Sequence, residues 1–80
     1  MDTVKIPLSS LRAGERGRVA SLNLEGEMRR RVQEMGLVED TEISCLRHAP
    51  AGSPGAYRFR GAVVALRKCD AQNIEVSLWG

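Results

Sequence analysis

Eighty residues make one domain, residues 1–80, with a thin core. A chain this short buries only roughly 60% of the surface its unfolded form exposes, which leaves little room for a deep catalytic cleft. Hydrophobic residues at 42% and charged residues at 28% exclude intrinsic disorder, and a net charge of +2 is too mild to imply a nucleic-acid partner.

The N-terminal MDTVKIPLSSL lacks the basic-then-apolar order of a secretory signal, and no apolar run approaches the roughly 18 residues that span a bilayer. Two cysteines, Cys45 and Cys69, do not make a disulfide scaffold. Together these features predict a cytoplasmic protein with reduced thiols.

In chain order, Leu8 and Leu11 precede Gly14 and Gly17, and Ser9 or Ser10 caps a short helical turn closed by Gly14. A strand follows over 16–22, with Val19 between the outward Arg18 and Ala20. The segment 25–36, EGEMRRRVQEMG, predicts the main helix. Leu24, Met28, Val32 and Met35 share one face at helical spacing, and Asn23 is the expected N-cap. Gly36 ends the helix, and Leu37 follows where a Schellman motif returns an apolar side chain, here to Val32. Glu39-Asp40 makes a turn, with Asp40 suited to a left-handed conformation.

The next strand is expected over 41–48, with Ile43 and Cys45 on one face and Glu42, Ser44, Leu46 and His48 on the other. Residues 49–56, APAGSPGA, read as a loop. Short strands follow over 57–60 and 62–67, separated by a tight turn at Gly61. One helical turn over 70–72 precedes a last strand over 73–79, with Ile74, Val76 and Leu78 inward. Five short strands with one helix between the first and second predict a mainly β protein, an SH3-like barrel, with an OB-fold as the alternative.

Catalysis has no candidate constellation. His48 is the only histidine, and there is no P-loop, no dinucleotide fingerprint and no nucleophile motif. Cys45, His48 and Cys69 are the soft metal ligands, but a structural zinc site wants four, and strand parity sends Cys45 and His48 to opposite faces. A buried apolar thiol accounts better for Cys45. No metal or other cofactor is therefore assigned.

Arg29, Arg30 and Arg31 invite an anionic partner. The spacings Glu25–Arg29, Glu27–Arg31 and Arg30–Glu34 instead predict a self-compensated helix face. Tyr57, Phe59 and Trp79 are too few for a base-stacking or proline-peptide platform, since the core needs at least one of the first two. Arg58, Arg60 and Arg67 form a sparse basic stripe, to which Arg16 and Arg18 could add, and it keeps a small nucleic-acid or regulator module as the alternative function, beside metal sensing.

Laid out this way, the chain resembles the FeoA family, small cytoplasmic proteins of bacterial ferrous-iron transport. The resemblance is carried by the spaced Leu8, Leu11, Gly14 and Gly17, by RRRVQEMGL over 29–37, by APAGSP over 49–54 and by GAVVALRKCDAQNIEV over 61–76. Two positions depart from the family pattern: Glu39-Asp40 stands where Pro-Gly is usual, and Ser53 where Asp is common. The resemblance implies an SH3-like barrel without enzymatic activity. It also implies action on FeoB, an inner-membrane ferrous-iron transporter with a cytoplasmic GTPase domain, and so a place at that membrane through the partner rather than by insertion. The same module is found fused to metal-dependent repressors of the DtxR type. Composition and periodicity say nothing of iron. The contact residues expected for such a partner are Arg30, Met35, Leu37 and Val38, an apolar run beside a turn; self-association stays open.

Overall fold

A computed structural model describes residues 4–78. Six antiparallel strands form one sheet in the order β1-β6-β2-β3-β4-β5. They are β1 (Val4–Pro7), β2 (Arg16–Leu22), β3 (Glu42–His48), β4 (Gly55–Phe59), β5 (Ala62–Leu66) and β6 (Ile74–Leu78). The main helix, α1 (Gly26–Glu34), lies between β2 and β3, and a single turn, α2 (Lys68–Ala71), lies between β5 and β6.

The strand beyond the expected five is β1. Its four residues pair with β6, Val4 opposite Leu78 and Pro7 opposite Glu75. Being at the sheet edge, it tolerates a proline that an interior strand would reject. The short helical turn that was expected here is a 3-10 turn over Leu8–Ser10, entered from Pro7 without a side-chain cap and closed by the Leu11 N–H on the Leu8 carbonyl, so neither serine caps it. The last helical turn begins at Lys68 rather than Asp70. Trp79, expected to end the final strand, lies outside the described residues.

The end of α1 is a full Schellman motif. The Leu37 N–H bonds the Val32 carbonyl at 2.8 Å and the Gly36 N–H bonds the Gln33 carbonyl at 2.9 Å. Gly36 has φ 101°, a backbone that a side chain opposes. Val32 and Leu37 are both buried, which supplies the apolar contact of the motif. The start of α1 differs from expectation. Asn23 is not the cap; its backbone N–H bonds the Asn73 carbonyl at 2.7 Å, tying the chain to β6, and Glu25 takes the cap position with no side-chain hydrogen bond.

The β4–β5 hairpin turns on Arg60 and Gly61, with φ 50° and 78°. Two left-handed residues in a two-residue loop make the turn whose twist matches the flanking strands. Arg60 therefore belongs to the turn and not to the strand, while β4 begins two residues earlier than expected, at Gly55. Asp40, at φ 69°, takes the left-handed turn before β3.

The core is one cluster. Leu8 and Leu11 are fully buried in it, Val32 brings in α1 and Leu37 the turn after it, and Tyr57 and Phe59 are its largest side chains, each 1% exposed. Both aromatics are consumed by the interior, so neither offers a stacking surface.

Candidate functional site

The corner where α1 turns into β3 holds two exposed apolar residues close together in the chain. Met35 and Val38 are 38% and 39% exposed on either side of the Schellman turn. Met35 thus leaves the core face that its spacing suggested, because the helix ends at Glu34 and Met35 is already its C-cap. Leu37, between them, is fully buried and presents no side chain outward. Arg30 is exposed on the helix.

Thr41 fixes this corner. It is buried, and its Oγ1 accepts from the Val38 N–H at 3.2 Å and donates to the Gly36 carbonyl at 3.4 Å. The Val19 N–H bonds the Thr41 carbonyl, and the Asp40 N–H bonds the Val19 carbonyl, which staple the turn to β2. Arg18 adds a bond from Nη1 to the Asp40 carbonyl at 3.1 Å. A Cβ built on Gly36 would stand 2.9 Å from Arg60 Cδ, so the arginine stem lies across the turn. An open recess of about 440 Å³ adjoins it, lined among others by Asp40, Thr41, Arg58 and Arg60.

The helix arginines do not pair as spacing suggested. Among the described residues the ion pairs within 4.0 Å are Arg16–Glu42 and Arg67–Asp70, both at 3.8 Å; none links Glu25 to Arg29, Glu27 to Arg31 or Arg30 to Glu34. Arg29 instead turns inward. Its Nη1 donates to the Leu22 carbonyl at 2.6 Å and to Leu24 at 3.4 Å, capping the end of β2 and clamping α1 to it. Nothing in the sequence signals that role, since it satisfies backbone carbonyls seven and five residues upstream.

Part of the basic stripe is brought together. The register sets Arg16 opposite Ser44, Ser44 opposite Arg58 and Arg58 opposite Val63, one row across the outer face of the sheet. Arg67 lies apart from this row, past the end of β5, with its Nε 3.8 Å from Asp70 Oδ2.

The soft-ligand trio behaves differently from its parity. One extra residue, Leu46, bulges from β3, since Cys45 pairs with Tyr57 and Arg47 with Ala56. The bulge returns His48 to the side of Cys45, and Cys45 Sγ lies 3.6 Å from His48 Nε2. That nitrogen also lies 2.7 Å from the Leu11 carbonyl, which can only accept, so Nε2 carries the proton. The ring meets Tyr57 edge-on at 6.2 Å. Burial pushes the Cys45 thiol pKa up, with the Glu15 carboxylate adding to the effect and a backbone bond from Arg47 opposing it. Cys69 is exposed. Among the described residues, no three His, Cys, Asp or Glu side chains gather to hold a metal. No helix there is long and apolar enough to cross a membrane.

Comparison with known proteins decides the family. The family model for the FeoA domain matches residues 6–78. The chain belongs to the FeoA family. A Porphyromonas gingivalis protein described as an Fe(2+) transport protein A/Fe(2+) transporter FeoB fusion is 37% identical over 71 residues. That match takes in 89% of this FeoA chain but only 8% of the fusion protein. The solution structure of FeoA from Chlorobium tepidum superposes with a TM-score of 0.88 at 35% identity, covering 94% of this chain and 71% of that one. The zinc complex of Stenotrophomonas maltophilia FeoA, described as a prokaryotic SH3 domain protein, superposes at 0.71 with 26% identity over 92% of this chain and 87% of that one. The SH3-like architecture expected of this FeoA chain is thereby established, and the OB-fold alternative falls.

Proposed function

We propose that this FeoA-family chain is a non-enzymatic accessory protein of ferrous-iron uptake that binds the cytoplasmic part of a FeoB-type membrane transporter. The observation that carries the reading is the Porphyromonas gingivalis relative, whose described name joins transport protein A to transporter FeoB in one chain. Parts joined in one chain commonly serve the same process. The reading places this chain at the inner face of the membrane, held there by its partner.

The docking surface in this proposal is the α1–β3 corner. Met35 and Val38 supply adjacent apolar contacts and Arg30 a flanking charge, while the buried Leu37 supports the turn from inside. A few residues near the centre of an interface carry most of its binding energy. The experiment is retention of the transporter's cytoplasmic domain by the immobilised chain. Wild type retains it, and Met35→Asp and Val38→Asp each weaken it about tenfold or more, near 1.4 kcal/mol. No retention by wild type removes the transporter reading. Retention unchanged in both folded variants removes the corner as the contact.

A further inference from the structure

The sheet has two outer edges, β1 and β5, and they are built differently. β1 carries Lys5 and ends at Pro7, residue types that discourage a further strand. β5 reads AVVAL, with no charge and no proline, and it pairs with β4 without a bulge. Val63 is 54% exposed and Ala65 is exposed beside it.

The register fixes which backbone groups face outward. Phe59 and Ala62 flank the two-residue turn, and residues in that position exchange both ladder hydrogen bonds. Ala62, Val64 and Leu66 therefore aim their N–H and C=O groups at β4. Val63 and Ala65 aim theirs away from the sheet, and no backbone bond outside the β4 ladder involves residues 62–66 among the described residues.

We propose that β5 is a self-pairing edge, through which two copies of this chain join antiparallel about a two-fold axis at Val64. That axis sets Val63 opposite Ala65 of the second copy, so every outward N–H meets an outward C=O. Four backbone bonds follow from the pattern, two from each copy's donors, the count that general antiparallel geometry requires of about two facing residue pairs. The same axis sets Ala62 opposite Leu66, both apolar, and Arg67 opposite Gly61; Arg60 falls opposite Lys68 only beyond the strand, so the cations stand at the two ends of the seam and none lies within it. Arg58, the cation beside Val63 on the outer face, stays one strand back on both copies. The second copy is favoured over a foreign strand because an uncharged edge gives a foreign strand no charge to recognise, whereas its hydrogen-bond spacing is complementary to itself. The interface is isologous and closes at two copies. The proposal is independent of the transporter reading.

Sedimentation velocity over a concentration series of the full chain tests it, with amide hydrogen exchange as the residue-level readout. Wild type sediments with a mass that rises with concentration towards twice 8.8 kDa. The amides of Val63 and Ala65 slow over the same range, while that of Val64 does not change. Ala65→Pro removes an outward donor without touching the β4 ladder, so the fold survives and dimerisation weakens about tenfold or more. Val63→Lys, which keeps every backbone donor, weakens it as well by adding charge at the seam. A monomer at every soluble concentration overturns the proposal. So does a dimer in which the Val63 and Ala65 amides exchange independently of concentration, or an edge that instead protects those amides only when a different protein is added.

Discussion

Cys45 and His48 form a close pair, Sγ to Nε2 at 3.6 Å, and burial sets the chemistry of the thiol. Cys45 is 1% exposed, and desolvation pushes its pKa up, so at neutral pH it holds its proton. Because the thiolate is the nucleophile, this cysteine is inert in the folded chain, whereas Cys69 stands in solvent. A soluble aromatic disulfide reagent is expected to titrate one thiol per folded chain and two in denaturant, and Cys69→Ser is expected to abolish the fast native reaction. Fast native labelling of that variant would show that the Cys45 pocket opens. The burial of Cys45 was legible in the sequence because it keeps phase with Ile43. The approach of His48 was not, since the bulge at Leu46 reverses parity after Cys45 and an inserted residue leaves no mark in an alternating pattern. Of the expected contact residues, Arg30, Met35 and Val38 lie on the surface, and Leu37 lies inside for the same reason that it completes the Schellman motif.

At the scale of elements, stops were more legible than starts. The Gly36-Leu37 ending announces itself because only a left-handed residue allows the Leu37 N–H to reach the Val32 carbonyl. Gly36→Ala is expected to cost roughly 1–2 kcal/mol, the penalty of forcing a Cβ into that backbone. Its Cβ would also press on Arg60 Cδ. Chemical denaturation reads the loss as a lower midpoint with an unchanged slope. An unchanged midpoint would mean that the turn relaxes freely and that the motif does not hold α1. The start of α1 misled because Asn23, a good cap by type, uses its backbone to pair with Asn73. The strand β1 was missed because its partner lies almost a whole chain away, Val4 on Leu78, and no local pattern encodes such a pairing. The Glu25–Arg29 pair failed for a related reason: Arg29 finds carbonyls at the end of β2 that an isolated helix would not have offered.

For the whole molecule, the small core makes its largest members decisive. The barrel class followed from strand number, strand length and one helix, all local features, whereas the choice of which aromatics the core takes depended on closure. Tyr57 is the only tyrosine in the chain and is 1% exposed, so its phenol reports on the entire fold. Burial, with a smaller contribution from Cys45, pushes its pKa up to about 12 from 10.0. A folded-state pKa above the unfolded one means that the folded chain keeps its proton after the unfolded chain has released it. The stability tied to this group is therefore intact below about pH 10 and drains away between about pH 10 and 12. A small domain unfolds as one unit, so the loss reaches every element together. Phenolate absorbance should titrate near 12 in the folded chain and near 10 in denaturant, and Tyr57→Phe should flatten the fall in melting temperature across that window relative to wild type. The other ionisable groups remain in the variant, so the difference between the two profiles belongs to Tyr57. A folded-state midpoint near 10 would show that the ring is reached by water in the native barrel, and the packing of β3 on β4 around it would then be looser than a core this thin can sustain.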